Sequence, residues 1–188
     1  KLHTEKGYDP ATRLFNAGSV LLGDTTPTTE NVRAARALVF DDLLKDFPFA
    51  DDASRAHALA LYLLPFVRRM IDGPTVMHMA TAPAAGTGKT LMISMALFPA
   101  LGDVPEPITV SPDPSELGKV ITTKVLEGPP YLFFDNISGK LDNAALAAAL
   151  TSTRRNDRLL STNTTISGKV DWVWAGTANN PTISEELT

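Results

Sequence analysis

The sequence predicts an α/β fold with a mostly parallel central sheet, helices on both faces and a helical segment before it. Three observations predict this fold. Short apolar runs that are typical of buried strands alternate with helical segments along the second half of the chain. A glycine-rich turn joins one apolar run directly to a helix. The 188 residues, 44% of them hydrophobic and 20% charged, suffice for one domain with a sizeable core.

The chain is predicted to have three parts. Residues 1–26 show no clear period and are expected to be irregular. Residues 27–72 are predicted to form a helical lead-in that packs on the domain that follows, with helices over 27–46 and 53–71. Residues 73–188 are predicted to form the α/β core.

The core elements alternate between strands and helices. In chain order, the predicted strands are Thr75–Ala80, Pro107–Val110, Tyr131–Phe134 and Val170–Thr177, and the predicted helices are Leu91–Phe98, Pro114–Glu127 and Asp142–Thr153. Because parallel strands end at one common edge of a sheet, side chains that follow these strands are expected to meet there and to bind the ligand.

The turn Pro83–Thr90 has the composition of a phosphate-binding loop. Glycines at two positions let the backbone bend and bring its N–H groups close to phosphate oxygens. Lys89 supplies a charge for β- and γ-phosphates, and Thr90 a hydroxyl for Mg²⁺. The helix N-terminus that follows favours an anion. The predicted nucleotide-binding residues are Ala85, Gly86, Thr87, Gly88, Lys89, Thr90 and Leu91.

Polar residues after two predicted strands complete the candidate site. Asp135 follows four apolar residues and is predicted to hold Mg²⁺ together with Thr90. Asn136 comes next and can position a water molecule, but an amide cannot accept its proton at neutral pH. Asn179 and Asn180 follow the last strand, where they either contact the γ-phosphate or the attacking water, or form a turn.

Composition excludes several other kinds of site. The chain has no cysteine, which excludes disulfides and cysteine zinc sites and fits a reducing, cytoplasmic setting. Its three histidines are widely spaced, and no apolar stretch is long enough to span a membrane. With a net charge of −4, any contact with DNA needs a local basic patch. The candidates for a DNA or subunit interface are Arg154, Arg155, Arg158 and Lys169, whereas Arg68 and Arg69 are expected on the plain surface.

Three motifs together resemble a known family. Residues 85–90, 132–136 and 174–180 resemble Walker A, Walker B and sensor 1 of the AAA+ ATPases. Their order and spacing are most similar to ATPase domains of phage and prophage replication proteins, of the primase–helicase and superfamily 3 kind. The loop departs from the usual pattern at Pro83, where a glycine is expected.

The resemblance implies a P-loop NTPase, a three-layer αβα sandwich that binds ATP and Mg²⁺ and hydrolyses ATP. It implies a homo-oligomeric ring, usually a hexamer, with DNA in its channel. It also implies that a hairpin near residues 161–169 touches DNA. An arginine finger and a C-terminal lid are expected beyond Thr188.

Three functions remain open from the sequence. The first is an ATP-driven motor or helicase in the replication of a phage or mobile element. The second is a nucleotide-gated assembly module with little turnover, which the amide of Asn136 favours. The third is a P-loop kinase of small molecules, for which no acceptor pocket or lid is marked.

Overall fold

The computed structural model describes residues 6–11, 13–16, 18, 26–111, 113–158 and 165–187. Its contacts divide the chain into two units, Lys1–Asp46 and Phe47–Thr188. The first unit contains strands β1 (Gly7–Asp9) and β2 (Leu14–Asn16), helix α1 (Thr29–Ala37) and a π-helix (Leu38–Leu43). β1 and β2 form an antiparallel pair within a segment that was predicted to be irregular.

The second unit carries most of the secondary structure. Its strands are β3 (Met77–Ala82), β4 (Ile108–Thr109), β5 (Tyr131–Leu141), β6 (Arg154–Arg158), β7 (Thr165–Lys169) and β8 (Val173–Ile183). Its α-helices are α2 (Asp52–Val67), α3 (Lys89–Leu101), α4 (Pro114–Glu127) and α5 (Ala144–Leu150), with 3-10 turns at Arg68–Met70 and Glu185–Leu187. No helix in the described part of the chain is both long and apolar enough to cross a membrane.

The centre of this unit is a four-stranded, entirely parallel sheet in the order β3-β8-β5-β4. The prediction of an α/β fold with a parallel sheet is therefore confirmed. β8, the last strand in sequence, lies between β3 and β5. Because of this order, the segment that follows β3 and the middle of β5 lie on either side of β8.

Helices cover both faces of the sheet. Phe133, Val173 and Ala175 point to the face where α2 and α3 pack, and the intervening Trp174 points to the face of α4 and α5. Successive side chains thus pack into the cores on opposite faces of the sheet. Because both faces are buried, the sequence of these strands is apolar at nearly every position. Since α2 shares a core with α3, it belongs to the sheet unit, whereas the sequence placed the domain boundary after residue 72.

Arg68 corrects a prediction, because it is only 5% exposed rather than a surface residue. Its guanidinium donates to the carbonyl oxygens of Val170 and Trp172, at 3.2 and 3.3 Å, and to those of Ile71 and Gly73. These bonds join the end of α2 to the segment that leads into β8. A planar group with five donors suits such a cluster of carbonyls.

Both central strands extend beyond their predicted ends. β5 was expected to stop before Asp135, and β8 before Asn179, yet both continue for several residues. The ladder between them is irregular at this point, and Asn136 and Asn180 have left-handed φ angles of 58° and 45°. An irregular strand can therefore redirect side chains without ending.

A β-hairpin precedes β8. β6 and β7 pair antiparallel, with Arg154 opposite Lys169 and Asp157 opposite Ile166. A helix was predicted over Asp142–Thr153, but the helix in the structure, α5, is shorter and spans only Ala144–Leu150. Asn143 caps it by accepting a hydrogen bond from the Leu146 N–H at 3.0 Å.

Candidate functional site

The loop between β3 and α3 adopts a sharply bent backbone. Gly86 and Gly88 have φ angles of 74° and 80°, while Thr87 between them is not left-handed. Alternation of this kind turns successive N–H groups towards one concave side and creates an anion-binding shape. Gly88 also stands directly before α3, where N–H groups of the first turn have no partner within the helix.

Lys89 folds back over this loop. Its Nζ donates hydrogen bonds to the Ala84 carbonyl oxygen at 2.9 Å and to the Thr87 hydroxyl oxygen at 3.0 Å. Only 8% of the residue is exposed. The ammonium group therefore lies within the loop and not in bulk solvent. Its charge can act at short range on a group that enters the loop.

Thr90 and Asp135 are brought together, as the sequence predicted. The Thr90 hydroxyl donates to Asp135 Oδ1 at 2.9 Å, although the two residues are 45 positions apart. A second hydroxyl, that of Thr177 on β8, donates to the same oxygen at 2.5 Å. The Thr177 oxygen also accepts the Asn136 N–H at 2.8 Å, so one buried side chain fixes both the carboxylate and the neighbouring backbone.

Sequence reasoning missed Thr177. It lies within the apolar stretch of β8 and is 2% exposed, which is typical of a core residue. A polar residue inside an otherwise apolar run was the available signal, because a buried hydroxyl needs a partner.

The asparagines form a second polar contact beside Asp135. Asn179 Nδ2 donates to Asn136 Oδ1 at 3.0 Å, and Asn180 Nδ2 donates to the Pro83 carbonyl oxygen at 3.4 Å. In the sheet register Asn179 lies opposite Ala82 on one side and Ser138 on the other. β8 thus carries these amides into the space between the glycine-rich loop and Asp135.

Asn179 leaves one acceptor unused. Its Oδ1 is buried and has no hydrogen-bond partner among the described residues. A buried polar atom without a partner is costly and points to a donor that arrives with a ligand or with water.

The oxygen donors of Thr90 and Asp135 suit Mg²⁺, which prefers hydroxyl, carboxylate and phosphate oxygens. Among the described residues no group of three or more acidic or histidine side chains could hold a metal ion. These two oxygens would therefore hold a cation only if a ligand supplied further oxygens, as a triphosphate with its water molecules does.

An aromatic side chain lies beside the loop. A Cβ atom added to Gly88 would lie 3.8 Å from Cε2 of Phe47, whose ring centroid is 4.7 Å from that of Phe49. Leu91, which was predicted to contact the nucleotide, is the third residue of α3 and has an exposed side chain. No pattern in the sequence indicated that Phe47 would lie beside the loop.

The predicted basic cluster is divided between the two faces of the β6–β7 hairpin. Arg155 lies on the inner face, paired with Asp157 and bonded to the Ala145 carbonyl oxygen at 2.8 Å. Arg154 and Lys169 are directly opposite each other on the outer, exposed face. The side chain of Arg158 and residues 161–164 lie outside the described residues.

Asp157 is held in its charged form. Burial raises its pKa, but the hydrogen bond from Thr122 at 2.6 Å and the contact with Arg155 outweigh burial, and its pKa lies below the ordinary value. Arg155 is therefore a structural cation that attaches the hairpin to α4 and α5. The interface role of Arg155 stays a prediction.

No protein-family model matches this chain, and no curated protein matches its sequence.

Proposed function

We propose that this chain binds ATP with Mg²⁺ and hydrolyses it, as a P-loop NTPase of the AAA+ kind with a three-layer αβα core. The observation that carries the proposal is the hydrogen bond between Thr90 and Asp135, directly beside the glycine-rich loop. A hydroxyl at a helix start and a carboxylate on a neighbouring strand are the two protein groups that such a Mg²⁺–phosphate complex requires.

The residues present fit this ligand. The bent loop offers N–H groups to phosphate oxygens, Lys89 offers an ammonium group, and Thr90 and Asp135 offer oxygens to the cation. When bound, Mg²⁺ neutralises charge on the β- and γ-phosphates. Thr177 keeps the Asp135 carboxylate in a fixed orientation.

In this proposal, Asn136 and Asn179 orient the attacking water. Their side chains form a hydrogen bond of 3.0 Å. Asn179 Oδ1, which has no partner among the described residues, can accept a hydrogen bond from a water molecule. Neither amide can take up the proton. Catalysis here would depend on positioning and charge stabilisation, which supply most of the acceleration in phosphoryl transfer.

We further propose that turnover drives movement on DNA by a homo-oligomeric ring, in replication of a phage or mobile element. The support is the resemblance of the three motifs and the exposed cations Arg154 and Lys169. The alternative is an assembly module with little turnover, which the amides at Asn136 and Asn179 favour because no described side chain bonded to them can act as a base.

Titration of the protein with a fluorescent ATP analogue, with and without Mg²⁺, tests the proposal. We expect Lys89→Ala to abolish binding, and Asp135→Asn to weaken it only when Mg²⁺ is present. Lys119→Ala, which removes a partly exposed lysine paired with Glu116, is the matched control and should bind normally. No affinity of the unaltered protein for Mg²⁺–ATP would refute the proposed function.

Phosphate release separates the candidate functions. A motor should release phosphate faster when DNA is added, whereas an assembly module should oligomerise with ATP and release little. Transfer of phosphate to a metabolite, with no response to DNA, would favour the kinase.

A further inference from the structure

Two aromatic side chains lie together in the short segment before α2. Phe47 and Phe49 stand on either side of Pro48, and their ring centroids are 4.7 Å apart at an interplanar angle of 57°. The Phe49 N–H donates a hydrogen bond to the Phe47 carbonyl oxygen at 2.9 Å. Asp51, just beyond, accepts the Ser54 N–H at 2.7 Å and caps the start of α2. Both rings are therefore carried by a tight turn that is anchored at a helix start.

Neither ring contributes to the core of the sheet unit. Among the described residues, the two apolar clusters on the faces of the sheet include partly buried side chains such as Tyr62 and Met92, but not Phe47 or Phe49. Both phenylalanines are half-buried. They thus present apolar surface outside the core, and a ligand that covered this surface would gain from the hydrophobic effect.

Apolar surface from two segments borders the helix end of the glycine-rich loop. The Phe47 ring lies within van der Waals range of Gly88, since a Cβ atom there would lie 3.8 Å from Phe47 Cε2. Leu91 follows three positions later, about one helical turn along α3, and is 64% exposed. The loop therefore places N–H groups that suit an anion next to side chains that suit an apolar group.

These two kinds of surface define the chemistry of one ligand. The face of an aromatic ring carries negative electrostatic potential, so the Phe47 ring offers no attraction to a phosphate group. It attracts another flat aromatic group, in an offset-stacked or edge-to-face arrangement. A nucleotide has both parts, because its ribose joins the phosphates to a flat base. An inorganic polyphosphate would leave Phe47 and Leu91 uncovered.

We propose that Phe47 contacts the base of the bound nucleotide and that Leu91 flanks the same base. This inference rests on the proposed binding of ATP at the glycine-rich loop, and it names the residues that recognise the base. A purine is favoured, because its two fused rings cover more apolar surface than the single ring of a pyrimidine. Contact with a ring face tolerates different bases, so Phe47 should contribute equally to the binding of ATP and of GTP.

Isothermal titration calorimetry in the presence of Mg²⁺, with ATP, GTP and tripolyphosphate as ligands, tests the proposal. Phe47→Ala should weaken the binding of ATP and of GTP by about fivefold to thirtyfold, which is the effect of losing one base–aromatic contact. Tripolyphosphate has no base, so it should bind this variant as tightly as the unaltered protein. Phe47→Tyr keeps the aromatic ring and should retain the affinity for ATP.

Phe98→Ala is the matched control. Phe98 is a 42% exposed phenylalanine on the same helix, ten positions after Gly88 and therefore about 15 Å further along the helix axis. Its removal should leave the affinity for all three ligands unchanged.

Photolabelling locates the base directly. With an azidoadenine analogue of ATP, we expect label in the tryptic peptide of residues 46–55, which contains Phe47. An excess of ATP should prevent this labelling. A bound analogue that leaves this peptide unlabelled overturns the proposal.

The three ligands also keep this inference apart from the proposed function. An equal loss of ATP and tripolyphosphate affinity in Phe47→Ala would show that the ring only supports the loop, which overturns the base contact. ATP affinity that is insensitive to Phe47→Ala overturns it too, while the proposed binding of ATP stands. If the unaltered protein binds neither ATP nor tripolyphosphate, the proposed function fails and the base contact fails with it.

Discussion

Replacing Thr177 by valine removes one hydroxyl while it keeps the shape of a buried side chain. The change takes a hydrogen bond from Asp135 Oδ1 and leaves the Asn136 N–H without its acceptor. Since Thr177 is 2% exposed, water cannot replace the lost partner. An unsatisfied buried donor costs about 1–3 kcal/mol. With the weakened carboxylate contact included, we expect the free energy of unfolding to fall by about 2–3 kcal/mol.

Two measurements check this prediction. For a chain of this size 1 kcal/mol corresponds to about 2–4 °C, so calorimetry should show the unfolding midpoint lowered by about 5–10 °C. The Mg²⁺ dependence of ATP binding should shift to about 10-fold higher Mg²⁺ concentration, as expected when a residue that orients a metal ligand is lost.

Thr177→Ser is the matched control, because it keeps the hydroxyl and loses only a methyl group. It should retain the Mg²⁺ dependence of the unaltered protein. If the valine variant unfolds at the original temperature with unaltered Mg²⁺ dependence, the role assigned to Thr177 is wrong. Equal loss of Mg²⁺ affinity in both variants would assign the effect to the methyl group and contradict our reasoning.

Three further predictions concern stability. Arg68→Met should lower the free energy of unfolding by about 2–4 kcal/mol in urea titrations, because several buried carbonyls lose their donor; a change below about 0.5 kcal/mol would contradict this. Gly168→Ala should lower the free energy of unfolding by about 1–3 kcal/mol, because its new Cβ would lie 2.5 Å from Val125 Cγ1. Gly118→Ala is the control: its new Cβ would have its nearest neighbour at 3.4 Å, so the same titration should show no change or a gain in stability. Burial, and then the charge of the other nearby histidine, lower the pKa of His78 below 6.5. The folded protein therefore favours the neutral form of His78, and the free energy of unfolding falls as the pH drops below 6.5. Between about pH 7.5 and about pH 5.5, the His78→Phe variant should lose less of this free energy than the unaltered protein. An equal loss in both proteins would exclude His78 as its source.

The sequence was sufficient for the parts of the site that depend on local chemistry. Gly86, Gly88 and Lys89 lie within four consecutive positions of the chain, and their location between a strand and a helix predicts the loop's position in the fold. Asp135 could be predicted to approach Thr90, because both follow apolar strands that a parallel sheet brings to one edge. Their functions remain predictions.

The parts that sequence reasoning missed depend on contacts between distant segments. Arg68 is buried against two carbonyl oxygens that lie more than 100 positions away in the chain, and no local pattern indicates these two partners. The extension of β5 past Asp135 depends on backbone angles at Asn136, whose N–H donates a hydrogen bond to the Thr177 hydroxyl oxygen on β8. The residue pattern alone did not predict the hairpin β6–β7, because its strands are short and every residue of Arg154–Arg158 is polar; only the family resemblance implied a hairpin near residues 161–169.

The position of the Lys89 ammonium group has a consequence for what the loop can select. That cation already has two neutral acceptors, the Ala84 carbonyl and the Thr87 hydroxyl. An uncharged ligand would only replace one neutral hydrogen-bond acceptor of the ammonium group with another, so it would gain little binding free energy. A guest with formal negative charge makes a stronger bond to the same ammonium group, so the protein's own internal contacts act as a filter against uncharged molecules.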